Sequence, residues 1–130
     1  MRKDLEELIK LSGKDLEMAK ISYANGFYEY ACFFSHQCVE KILKAFLLFK
    51  KGGYPFIHSI TKLINLCAEI DSEFKFLLDI NADSLEDYYT GTRYPPMMEV
   101  AKEEAKEALE ISERVREFVL GKLKFENYKR

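Results

Sequence analysis

The 130-residue sequence predicts an all-α fold, an up-and-down bundle of four to five helices. Three observations carry that reading. Apolar residues recur at i, i+3, i+4 and i+7 along most of the chain. No segment alternates like a half-buried strand. Most of the glycines and prolines fall between the periodic blocks, where they end helices rather than interrupt them.

The first helix reads from about Lys3 to Ala24, with Leu5, Leu8, Ser12, Leu16, Ala19 and Tyr23 along one side. Asn25-Gly26 closes it, because both residues tolerate the left-handed backbone of a helix end. The second runs from about Phe27 to Lys50 and stops at Gly52-Gly53. The third begins near His58 or Ser59 and continues to about Ile70, burying Ile60, Leu63, Ile64, Cys67 and Ala68. Asp71 or Ser72 caps a short fourth helix carrying Phe74, Leu77 and Leu78. After a break at 81–84, a helical turn is expected around Leu85 to Tyr89. The last helix reads from about Met97 to Leu120, with Pro95 or Pro96 suited to its first turn and Ala101, Ala105, Ala108, Ser112, Val115 and Val119 as its core stripe.

This pattern describes one domain over residues 1–130, with no repeat or linker and enough chain for its own core. Residues 121–130 form a basic tail in which Lys122, Lys124, Lys129 and Arg130 face only Glu126. It reads as a frayed helix end or as a weak phosphate contact. A net charge of −2 argues against bulk, sequence-blind nucleic-acid binding but leaves room for a local basic site. Cys32, Cys38 and Cys67 sit in apolar helical patterns without metal or redox spacing, which suits buried thiols in a reducing cytoplasm. The charged N-terminal segment is not a secretory signal, and no apolar run is long enough to span a membrane.

The second helix carries the feature most relevant to function. From Tyr30 to Phe49 it is almost wholly apolar, yet Gln37, Glu40, Lys41 and Lys44 share one face at i, i+3, i+4 and i+7. Such a stripe is either the helix's one solvated edge or a site. Glu40 and Lys44 have the spacing and direction of an intrahelical ion pair. Downstream, Arg93-Tyr94-Pro95 follows Gly91, with Tyr88 and Tyr89 close by. Arg93 is equally suited to a carboxylate such as Glu86, Asp87 or Glu40 and to a phosphate. His36 reads as a hydrogen-bonded, partly buried residue, and His58 as part of the start of the third helix. No ligand set at metal spacing and no phosphate-binding glycine loop is present, so neither metal nor cofactor is expected.

Two blocks carry a family resemblance. One runs from Tyr28 to Ala45 and contains Gln37-x-x-Glu40-Lys41-x-x-Lys44-Ala45. The other is Tyr88-Tyr89-Thr90-Gly91-Thr92-Arg93-Tyr94-Pro95, and His58-Ser59-Ile60 lies between them. In that order they resemble the HEPN family (higher eukaryotes and prokaryotes nucleotide-binding domain), over about Leu5 to Phe118. The resemblance implies a four- to five-helix bundle that pairs as a homodimer. It also implies prokaryotic relatives encoded beside a minimal nucleotidyltransferase, as toxin–antitoxin or related two-component systems.

Many members of that family are metal-independent ribonucleases with an Arg, four to six residues, then a His. Here the positions that follow Arg93, Arg114 and Arg116 at that spacing hold no histidine, and none occurs after His58. RNA cleavage of this kind needs a proton-transfer group beside the cation, so the family's activity is not carried over. The sequence therefore points to a non-catalytic cytoplasmic module that binds a nucleotide or RNA phosphate, a minimal nucleotidyltransferase partner, or both. Its candidate ligand-binding residues are Arg93, Tyr94, Lys41, Lys44, Gln37 and Glu40. Two alternatives stand beside it: a divergent ribonuclease in which His36 or His58 replaces the missing histidine in space, and a structural interaction protein without a ligand.

Overall fold

The structure, a computed structural model, describes residues 2–123. Helices α1 (Lys3–Ala24) and α2 (Tyr28–Lys51) form a hairpin, and α3 (Ile60–Ile70) packs back on α2. A 3-10 turn (Ser72–Lys75) leads into α4 (Phe76–Asp79), and a second (Ala82–Asp87) leads into α5 (Tyr88–Gly91). The long α6 (Lys102–Leu123) closes the bundle against α2 and α1. Among the described residues there is no strand, and no helix is long and apolar enough to cross a membrane.

Helix α2 is the axis of the bundle, touching α1, α3, α5 and α6. Its apolar circumference explains this position: Val39, Ile42, Leu43, Ala45 and Phe46 are all fully buried. Phe46 packs on Phe74 at 4.3 Å between ring centroids, and Phe74 meets Phe118 edge-on at 5.1 Å. This cluster ties α2 to the 3-10 turn and to α6. Ser12, a polar position in the α1 stripe, is buried because it joins three helices. Its Oγ donates to the Cys38 carbonyl at 2.9 Å and accepts from Arg116 Nε at 3.2 Å.

Helix boundaries follow local chemistry. Gly52 ends α2 with φ +82°, in the left-handed region open to glycine. α3 starts at Ile60 rather than at His58 or Ser59, because the Ser59 side chain caps it by accepting from the Lys62 N–H at 3.1 Å. α6 starts at Lys102, not near Met97. The Ala101 N–H donates to Glu104 Oε1 at 2.9 Å, the reciprocal half of a capping box, so the helix begins there. Pro95 and Pro96 therefore lie outside its first turn, and Ala101 is exposed instead of lying in the core stripe. Met98 turns back to α5, its N–H bonding the Gly91 carbonyl at 2.9 Å.

Of the basic tail, Gly121 and Lys122 belong to α6. Lys122 pairs with Asp71 at 2.8 Å and also with Glu73, instead of fraying. The cations Lys124, Lys129 and Arg130 lie outside the described residues.

Candidate functional site

The α2 stripe is not a solvated edge. Glu40 and Lys44 are both buried, and Lys44 Nζ donates to Glu40 Oε2 at 2.8 Å with each side chain less than a tenth exposed. Lys41 turns the other way, to Asp15 Oδ2 on α1 at 2.6 Å. Burial raises the Asp15 carboxyl above its usual range, and Lys41 partly offsets this. The stripe thus splits: Glu40 and Lys44 belong to one cluster, and Lys41 to a contact between α1 and α2.

The loop from Gly52 to Ser59 covers the Glu40–Lys44 pair. His58 Nδ1 donates to the Glu40 carboxylate at 3.0 Å, and Lys44 Nζ lies 5.5 Å from the centre of the Tyr54 ring. About half of the His58 side chain is exposed. With Nδ1 committed to the carboxylate, Nε2 is the ring nitrogen left without a partner among the described residues.

His36 behaves differently. It is fully buried, and its Nε2 donates to the His58 carbonyl at 3.0 Å. Its Nδ1 lies 3.0 Å from the side-chain amide of Gln37, which satisfies a neutral ring when the amide NH2 group faces it. Burial pushes the His36 pKa below its ordinary value. His36 therefore holds the loop in place, with Gln37 fixing its ring.

Tyr89 on α5 connects this cluster to Arg93. The His58 ring stacks on Tyr89 at 4.3 Å and 15° between planes. The Arg93 guanidinium lies 4.7 Å from the centres of both Tyr89 and Phe33 and 5.1 Å from that of Tyr94. Its Nε donates to the Tyr89 carbonyl at 3.0 Å.

The segment is anchored locally. Thr92 is buried with its Oγ1 bonded to the Tyr88 carbonyl, and Gly91 admits Met98 so closely that a Cβ there would lie 2.6 Å from the sulfur. Among the described residues no carboxylate lies within ion-pair distance of Arg93. Glu86 is engaged by the Ser59 hydroxyl at 2.7 Å and the Thr61 N–H at 3.0 Å, bonds that hold its carboxyl below the usual range. With Glu40 offset by Lys44, Arg93 is the uncompensated cation of the cluster, already oriented by three rings.

Of the sequence-derived candidates, Glu40 thus meets both Lys44 and His58, whose ring stacks on Tyr89, and Arg93 lies between Tyr89 and Tyr94. Gln37 reaches the cluster only through His36, and Lys41 does not reach it. The Glu40–His58 pair, separated by 18 residues, has no periodic signature that could reveal it. Tyr89 and Arg93, spaced i, i+4, do. The three cysteines are buried and free, and burial pushes Cys32 and Cys67 up to about 12 and Cys38 to about 11. Among the described residues no group of three or more His, Cys, Asp or Glu is placed to hold a metal ion.

The fold and this site define a helical bundle whose second helix carries an ion pair buried by the α2–α3 loop, beside an aromatic and arginine cluster. The chain belongs to the HEPN family: the family model for the HEPN domain matches residues 5–123. It is 33% identical over 132 aligned positions to a Methanocaldococcus jannaschii protein named "Putative toxin MJ1304", covering 89% of this chain and 86% of that one. Two crystal structures share its fold. TT1696 from Thermus thermophilus has a TM-score of 0.76 at 26% identity, covering 93% of this chain and 99% of that one. ST0689, described as an archaeal HEPN homologue, has a TM-score of 0.72 at 30% identity, covering 94% and 98%.

Proposed function

We propose that this protein is the HEPN component of a toxin–antitoxin-like two-component system and binds a nucleotide or RNA phosphate at Arg93. Tyr94, more than half exposed, would stack the base, Tyr89 would hold the Arg93 guanidinium and the His58 ring, and the buried Glu40–Lys44 pair would hold the His58 wall of the site. Arg93 carries the reading. It is an exposed guanidinium with no acidic partner among the described residues, held among three aromatic rings at 4.7–5.1 Å with its outer N–H groups free. A phosphate accepts from such a fork in two parallel bonds, and base–aromatic stacking adds about 1–3 kcal/mol. Lys41 and Gln37 act here only by supporting α2. The naming of a similar protein as a toxin candidate supports a two-component role. The partner that fits the family is a minimal nucleotidyltransferase, in the cytoplasm.

Pairing with a second copy is part of the same reading. An apolar groove of about 430 Å³ runs between α1 and α2, lined by Met18, Ile21, Phe27, Tyr30 and Phe34. Ile21, Phe27 and Tyr30 are each more than half exposed. The groove ends at Phe34, which packs on Phe33 at 5.4 Å, and Phe33 lies under Arg93. A partner seated there would border the phosphate site. Light scattering is expected to give a dimer for the native protein and a monomer for Ile21→Asp.

One observation favours a second reading. His58 Nε2 has no hydrogen-bond partner among the described residues, and its ring is fixed by a buried carboxylate beside the cluster that holds Arg93. His58 could take the proton of an RNA 2′-hydroxyl as that oxygen attacks the adjacent phosphorus. Arg93 would meet the charge on the phosphorane. As the P–O5′ bond breaks, the 5′-oxygen would take a proton from water, leaving a 2′,3′-cyclic phosphate and a protonated His58 that returns its proton to solvent. His36, with both ring nitrogens engaged, cannot serve.

The test is incubation of single-stranded RNA with native, His58→Ala and Arg93→Ala proteins, with both binding and cleavage measured. RNA bound but intact, with binding lost in Arg93→Ala, supports the binding module. Cleavage lost in both variants replaces it with the second reading. No binding by the native protein refutes both.

A further inference from the structure

We infer that the Gly52–Ser59 loop carries a second base platform, Tyr54 and Phe56, so that the site takes a run of single-stranded polynucleotide rather than a lone nucleotide. This rests on the phosphate-binding reading of Arg93. Phe56 is 95% exposed, and its ring meets Tyr54 edge-on at 6.3 Å with Pro55 fixing the backbone between them. A lone exposed aromatic means little. This one sits on a loop whose other end is His58, stacked on Tyr89, so a single short segment joins two aromatic clusters. Beneath it, Lys44 and Glu40 link Tyr54 to His58 through contacts of 5.5, 2.8 and 3.0 Å.

Charge points the same way. Lys51 lines the hollow beside Pro55 and Gly53. The acids Glu107, Glu110, Glu113 and Glu117 gather instead around a separate groove on α6, where, among the described residues, Arg114 is the one cation beside four carboxylates. The loop face therefore suits a polyanion better than the α6 face does. From residue 54 to 58 the chain can span at most about 14 Å, so no more than about four stacked nucleotides at about 3.4 Å each fit along it. Aromatic platforms flanking cations are what a single strand needs, since every base has a stacking face.

Fluorescence anisotropy with labelled oligouridine of about six nucleotides, matched DNA and a dinucleotide tests this. Phe56→Ala is expected to bind the six-nucleotide probe about tenfold more weakly and the dinucleotide unchanged, while Phe56→Trp restores binding. Arg93→Ala is expected to weaken all probes, and the RNA and DNA arms show whether the 2′-hydroxyl is read. The ring of Phe56 is outside the core, so an unchanged melting temperature excludes misfolding. If Phe56→Ala binds the long probe like the native protein while Arg93→Ala loses it, the platform is refuted and the phosphate site stands. Loss of self-association in Phe56→Ala without loss of binding refutes it too, assigning Phe56 to a protein contact. If Arg93→Ala changes nothing, the underlying phosphate site has failed instead.

Discussion

Replacing Glu40 by alanine probes the heart of the cluster. The carboxylate lies 2.8 Å from Lys44 Nζ, and neither side chain is more than 8% exposed. At an effective dielectric of about 20, the attraction at that distance is about 6 kcal/mol, most of it offset by desolvation of the two ions. Deleting one partner leaves the other buried and unpaired, which costs about 3–5 kcal/mol. The lysine stem can swing its ammonium outward past Tyr54, so a value near the lower end, about 3 kcal/mol, is expected. For a domain of this size that is a fall in melting temperature of roughly 10 °C.

Urea unfolding followed by circular dichroism measures it, with Glu40→Leu/Lys44→Met as the control. The double variant replaces both ions by apolar groups and should return to within about 1 kcal/mol of the native protein. A loss below about 1 kcal/mol in Glu40→Ala, the value of a solvated surface pair, would refute the buried-pair account.

Other outcomes follow from the same contacts. Phe74→Ala empties the fully buried space between Phe46 and Phe118 and should cost about 3–5 kcal/mol in the same assay. Burial lowers the His36 pKa, so the folded protein refuses a proton that the unfolded chain accepts below about pH 6.5. Stability should be full above that pH and fall as pH drops toward the lowered folded value. His36→Gln should flatten the dependence between about pH 7 and 5, and an unchanged slope would contradict it. Lys41→Ala, which loses only the Asp15 contact, should leave nucleotide and RNA binding within about twofold of native, whereas Arg93→Ala abolishes it. Titration of nucleotide into both variants, followed by calorimetry, separates them.

The long helices were legible because their signals are local. Asn25-Gly26 and Gly52-Gly53 stop α1 and α2 where backbone freedom is needed, and the amphipathic stripes between them need no tertiary information. The start of α6 was not legible. Met97, Met98, Val100 and Ala101 continue an apolar pattern, yet a Glu104 side chain reaching back to Ala101 sets the boundary five residues later.

The same divide runs through the site. The Glu40–Lys44 pair is an i, i+4 contact and shows in the sequence, but its burial does not. Burial depends on the loop between α2 and α3 folding over it and on His58 reaching a carboxylate 18 positions earlier. Lys41 shared the stripe's spacing with Glu40 and Lys44, and only the position of α1 separates it from them. Arg93's lack of an acidic partner among the described residues is likewise a tertiary fact, since Glu86 could have paired with it had Ser59 and Thr61 not engaged it.

The most direct test of the phosphate site is a nuclear magnetic resonance titration of isotopically labelled protein with a short single-stranded RNA, read at the backbone amides, the two histidine rings and the arginine Nε groups. The expected result is saturable shifts at His58 and Arg93, with Arg116 and the Lys41–Asp15 contact unmoved. Shifts confined to the α1–α2 groove or the α6 face, with His58 and Arg93 silent at saturation, would contradict it.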